Sequence, residues 1–103
     1  MSQQYQDRDE NFYKRADALI NLANEHINNE ETRPALANDS LLYASARFST
    51  WIAAASFKSG KEFTEDKENI IEFFTQQYKE MIEEHFKDYA ENYDTYMGVS
   101  KEK

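Results

Sequence analysis

From Phe12 onward apolar side chains recur at three- and four-residue steps: Phe12, Ala16, Leu19, Ile20, Ala23 and Ile27, with Lys14, Arg15, Asp17, Asn21, Asn24 and Glu25 on the other side. That is the repeat of an amphipathic helix, and it predicts a first helix over residues 9–29. The following run, NNEETRPALANDS, holds Asn, Asp and Pro, which draw the backbone out of a helix by local side-chain hydrogen bonding or by a fixed φ. It reads as the one real loop. Asn38, Asp39 and Ser40 are good N-caps, and LLYASARFSTWIAAASF behind them carries a single charge, Arg47. This predicts a second helix ending near Gly60, a natural residue just past a C-terminus, with Lys58 and Lys61 favourable at the negative end of its dipole. Ser45, Ser49 and Ala53 form a strip of small residues open to a neighbouring helix, while Leu41, Phe48, Ile52 and Ala55 fill another face. Nearly all sides of this helix are expected to be covered.

Thr64 is the expected N-cap of a third helix, with Glu65, Asp66 and Glu68 in its first turn near the positive dipole end. Lys67 occupies the position that a capping-box Glu would need. Ile70, Ile71, Phe74, Tyr78, Met81, Ile82, Phe86, Tyr89, Tyr93 and Tyr96 then keep a near-3.6 repeat to Met97. A straight rod of that length spans about 50 Å, and a bend near Lys87 and Asp88 would divide it. The fold expected is therefore all-α, a small antiparallel bundle of three helices, or four if the last is broken. Residues 1–8 read as a loose N-terminal arm, 9–97 as a single helical domain and 98–103 as a loose tail. A chain of 103 residues has material for one core, and only two Gly and one Pro leave little of the punctuation that β-hairpins need.

Charge narrows the partners. Twenty acidic residues against twelve basic ones give −8, and residues 61–97 alone hold eleven acids and four bases. Such a field repels phosphates and anionic membrane surfaces, so direct binding to nucleic acid or membrane is not expected. The charge-poor stretch of the second helix also falls short of the ~20 apolar residues of a membrane span. Residues 1–9 lack the apolar core of a secretory signal, and the cytoplasm is the expected compartment.

Candidate chemistry is sparse. There is no Cys. His26 and His85, each beside a Glu, lack the Glu-x-x-His spacing of helical di-metal sites, so no metal and no cofactor are expected. The expected places are the C-terminal carbonyls of the first helix for His26 and the core edge for His85. No Ser-His-Asp set, phosphate-cradling Gly loop or paired-carboxylate motif stands out, and no enzymatic activity is expected. Arg47, alone in an apolar helix, is expected to be a buried charge paired with an acid of another helix. Tyr89, Tyr93 and Tyr96, with Glu83, Glu84, Asp88 and Glu91 beside them, form the candidate interaction surface, because Tyr offers large contact area at low entropic cost. A charge-poor helix and a long third helix both ask for more cover than one chain supplies, which points to a homodimer.

The segments FYKRADALINLANE, LLYASARFSTWIAAAS and IIEFFTQQYKEMIEEHFKDYAENYDTYM together resemble the Domain of Unknown Function 3144 family of short bacterial proteins, over about nine-tenths of the chain. YASARF and NYDTYM are the most distinctive words. The resemblance implies a short, helical, cytoplasmic protein and assigns no activity, ligand or catalytic residue. The function expected from all of this is a scaffold or adaptor that engages an unknown protein through the acidic third helix. The alternatives are an acidic regulator that imitates nucleic acid, motivated by Glu72, Glu80, Glu83, Glu84, Asp88 and Glu91, and a small-ligand carrier with a cavity between aromatics. A pocket lined by Arg47 and a histidine would favour the carrier.

Overall fold

A computed structural model of the chain describes residues 8–99, which contain helices and no strand. The elements are α1 (Phe12–Asn29), α2 (Pro34–Ala55), α3 (Gly60–Glu65), α4 (Lys67–Glu91) and α5 (Tyr93–Met97). Three are long, and the all-α reading holds. Most of the expected N-terminal arm and C-terminal tail lies outside the described residues.

The helix boundaries show which local rules win. Helix α1 starts at Phe12, three residues later than expected, and a turn closed by the Phe12 amide on the Asp9 carbonyl at 3.0 Å precedes it. Its far end is shut where the Glu30 and Thr32 amides both donate to the His26 carbonyl, at 3.2 and 3.4 Å. The connection to α2 then takes only residues 30–33. Pro34 opens α2, not the cluster of Asn38, Asp39 and Ser40. A proline suits the first helical position, where its missing N–H costs nothing and its φ is already helical; Arg33 before it is extended, as a residue preceding proline must be. Most of the expected loop is therefore helical.

At its other end α2 stops at Ala55, and Gly60 does not terminate it: Gly60 is the first residue of α3. Ser59 caps α3 by accepting from the Glu62 amide at 3.1 Å. Thr64 lies inside this short helix, so α4 begins behind Asp66 instead. Helix α4 passes unbroken through Lys87 and Asp88 and ends one turn further on, at Asn92. Gly98, at φ +70, closes α5 in the left-handed conformation that glycine adopts without penalty.

Packing is thin. Helices α1 and α2 fold back on each other across the short loop, and Phe12, Ala16, Ala23 and Ile27 of α1 are half-buried while Leu19 and Ile20 face water. Ala37 of α2 is the only buried residue among those described, at 7% exposure. Helix α2 contradicts the expectation of all-round cover. Ser49 and Ala53 of its small-residue strip are half-buried, but Leu41, Phe48, Ile52 and Ala55 are exposed. The reason is geometric: within one chain only α1 lies along it, and α4 leaves the α3 elbow splayed away. The molecule measures 62 × 32 × 26 Å with a radius of gyration of 17.4 Å, against about 13 Å for a compact domain of this length.

Candidate functional site

Two surfaces stand out, one at each end of α4. Near α3, the last turns of α2 and the first turns of α4 form the walls of an open groove of about 740 Å³. Ile52, Ala53 and Phe57 line one side, and Ile70, Phe73 and Phe74 the other. The 3.6 repeat of α4 brings Ile70, Phe73, Phe74, Gln77, Glu80 and Met81 to the half-buried side. Phe57 meets Phe63 of α3 edge-on, with ring centroids 5.8 Å apart, which props the elbow between the walls. Asp66, Glu72 and Glu80 are the charged groups of the lining. Neither Arg47 nor a histidine lines it, so the arrangement that would favour a ligand carrier is not formed among the described residues.

At the far end, Asp88 organises the break between α4 and α5. Its carboxylate accepts from the Tyr96 hydroxyl at 3.1 and 3.2 Å and from the Asn92 side-chain amide at 3.1 Å, and its carbonyl accepts from the same amide at 3.0 Å. Tyr96 thereby swings back against Tyr89, with ring centroids 4.8 Å apart at 67°. This edge-to-face contact is the geometry aromatic rings prefer. The hydrogen bond to Asp88 raises the Tyr96 phenol above its ordinary pKa, and partial desolvation and the carboxylate's charge add to the shift. Tyr93 stands free of this pair and is 56% exposed. The helix repeat thus brings Tyr89 and Tyr96 together and leaves Tyr93 apart, and all three remain open to solvent rather than finishing a core.

The acids of this end are not bare. Glu83 lies 3.6 Å from Lys79, and Glu91 lies 2.6 Å from Lys87. Glu84 receives a two-pronged bond from Arg8, at 2.9 and 3.2 Å. The same guanidinium donates to the Tyr13 hydroxyl at 2.9 Å and sits 4.8 Å over the Phe12 ring. The Glu84 bond is the largest cause of a pKa raised above the ordinary guanidinium range. Arg8 thus ties the start of α1 to the middle of α4. Sequence reasoning missed this: Arg8 lay in a segment read as loose, and no periodicity connects positions 8 and 84. Phe86, expected on the apolar repeat of the third helix, is instead 74% exposed beside the acidic face.

The remaining candidates move. Arg47 is exposed and has no ion pair among the described residues, contrary to its expected role as a buried, paired charge. With α2 bare, its guanidinium reaches water without needing a carboxylate. His26 lies beside Glu30, Nδ1 to Oε1 at 3.2 Å, rather than on the carbonyls of the helix end. The His26 carbonyl at that end already accepts from two backbone amides. His85 is exposed rather than at a core edge. No group of three or more His, Asp or Glu side chains is placed to hold a metal among the described residues. No described helix is long and apolar enough to cross a membrane.

Residues 12–90 match the family described as "Protein of unknown function (DUF3144)". The chain belongs to this family. Its fold is also that of an NMR structure of the protein NB7890A from Shewanella sp., at 32% identity and a TM-score of 0.76, with 90% of this chain and 97% of that one covered. The matched family region stops at residue 90, so Tyr93 and Tyr96 of the aromatic end lie outside it, and all the residues that line the α2–α4 groove lie within it. The chain matches no curated protein.

Proposed function

We propose that this member of the DUF3144 family is a small non-catalytic adaptor of the bacterial cytoplasm, which holds another protein against the far end of α4 and α5. The observation that carries the reading is the rigid, exposed aromatic cluster: Tyr96 fixed by Asp88, Tyr89 packed on Tyr96, and Tyr93 and Phe86 open beside them. Pre-positioned aromatic side chains lose little entropy on binding and dominate contact energies. The surrounding acids suit a partner with basic or neutral groups at the rim, where charge sets encounter rate and orientation.

Nucleic-acid mimicry is the weaker reading. An imitation of a phosphate backbone needs free, regularly spaced negative charge, whereas Glu83, Glu84 and Glu91 each already face a cation. The adaptor reading is tested by capturing partners from bacterial lysate on the wild-type protein and on Tyr93→Ala, each at low and at high salt. A protein retained by the wild type and lost from the variant, with retention weakening only modestly in salt, supports it. Retention that ignores the tyrosine and collapses in salt would favour mimicry.

A further inference from the structure

We infer that the groove between α2 and α4 is filled by α2 of a second copy of the chain, with Arg47 of each copy set against Glu72 of the other. The chain exposes 9116 Å², whereas a closed monomer of 12.2 kDa exposes about 6,100 Å². Residues 1–7 and 100–103, even counted at the full surface of an extended chain, account for about 1,900 Å². About 1,100 Å² of uncovered surface remains per chain, more than the roughly 800 Å² that each partner contributes to a standard interface. A large apolar share of it sits on α2, where Tyr43, Phe48 and Trp51 are 75%, 64% and 62% exposed.

Chemistry then selects the occupant. A segment seated between Ile52 on one wall and Phe73 and Phe74 on the other must be apolar on more than one side, and α2 is the long helix of this chain with that property. Half-buried Ala53 at the wall lets another helix approach closely, near the 8–10 Å of helix pairs. Because α2 is itself one wall, seating a second α2 beside it makes the same contact twice around a two-fold axis, which closes the assembly at two chains. Charge agrees: the lining carries carboxylates and no cation. Glu72 has no hydrogen bond or ion pair among the described residues, and neither has Arg47. The buried pair expected for Arg47 is thus formed between chains rather than within one.

This pairing does not depend on the adaptor role, and its variants leave Tyr89, Tyr93 and Tyr96 untouched. The test is sedimentation equilibrium of the wild type, Arg47→Glu, Glu72→Lys and the double variant, with circular dichroism as a check that each stays helical. Both residues are exposed in the protomer, so neither substitution removes a contact that a single chain makes. The expected result is a wild-type species of twice 12.2 kDa. Each single variant should dissociate at about tenfold higher concentration, and the double variant should return to within about threefold of the wild type. A helical wild type that stays monomeric to millimolar concentration overturns the inference, and so does one whose groove takes up an apolar dye while its mass stays that of one chain. A dimer that weakens in Arg47→Glu without recovery in the double variant overturns the assignment to this groove.

Discussion

Helix α2 and the far half of α4 both stand in water within one chain, but they support themselves in different ways. Along α4 and its junction with α5 the side chains bond to their own helix: Gln76 to Glu80, Lys79 to Glu83, Lys87 to Glu91, Asn92 to Asp88 and Tyr96 to Asp88. Each such pair contributes only a few tenths of a kcal/mol, but together they hold an exposed helix without tertiary cover. Along α2 there is almost nothing of the kind; Thr50 bonds back to the Ala46 carbonyl at 2.8 Å, and the rest is small or apolar. Helices of this kind owe their stability to packing rather than to propensity. The difference is the ground of both proposals: a surface that bears exposure is the one proposed to recruit another protein, and one that packing must stabilise is the one proposed to be covered by a second chain.

Three substitutions probe that division, in falling order of effect. Ile52→Glu places a carboxylate in the apolar wall of the groove. It should cost about 3 kcal/mol of association, more than 100-fold in dissociation constant, as read by sedimentation; an unchanged dimer would leave α2 with no special need of cover. Arg8→Ala removes the bond between α1 and α4 and should cost about 1 kcal/mol or less, fading with salt because the Glu84 end is partly exposed. Amide exchange in the first turn of α1 should quicken while α2 is unaffected, and a loss of association instead would mean that the two regions are coupled.

The smallest effect concerns Tyr96. Its pKa is raised in the folded chain above the ordinary value of 10.0, chiefly by the bond to Asp88. The stabilisation from that bond is therefore fully present below the unfolded value and is lost as pH rises through the folded one. Titration followed by tyrosine ring resonances should show Tyr96 ionising above the ordinary value of 10.0, and Tyr96→Phe, which removes the hydroxyl that donates to Asp88, should let α5 fray. A Tyr96 phenol that ionises at its ordinary value would contradict the arrangement at the break.

Much of the fold was legible because it rests on local physics. The 3.6 repeat located three long helices, and of the two family words YASARF falls within the matched residues 12–90 while NYDTYM falls beyond them. The errors lie where two local signals competed. Pro34 overrode the caps at residues 38–40, and Ser59 claimed Gly60 for α3, so that Thr64 was no longer free to start α4. The candidate surface was legible as an aromatic and acidic stretch, but its order was not. That Asp88 bridges to Tyr96 depends on a break at Asn92 with no proline or glycine to announce it. Long-range ties were invisible in principle, since nothing in the periodicity relates Arg8 to Glu84. Arg47 is the informative case: an isolated charge in an apolar helix was expected to be buried against an acid of the same chain, and it is instead exposed with no ion pair among the described residues.

Amide hydrogen exchange across a range of protein concentrations tests the division between α2 and α4 most directly. Covered by a second chain, the amides of residues 41–55 should exchange slowly and slow further as concentration rises, while those of residues 82–91 keep one rate throughout. Exchange at residues 41–55 that is fast and indifferent to concentration would contradict the account.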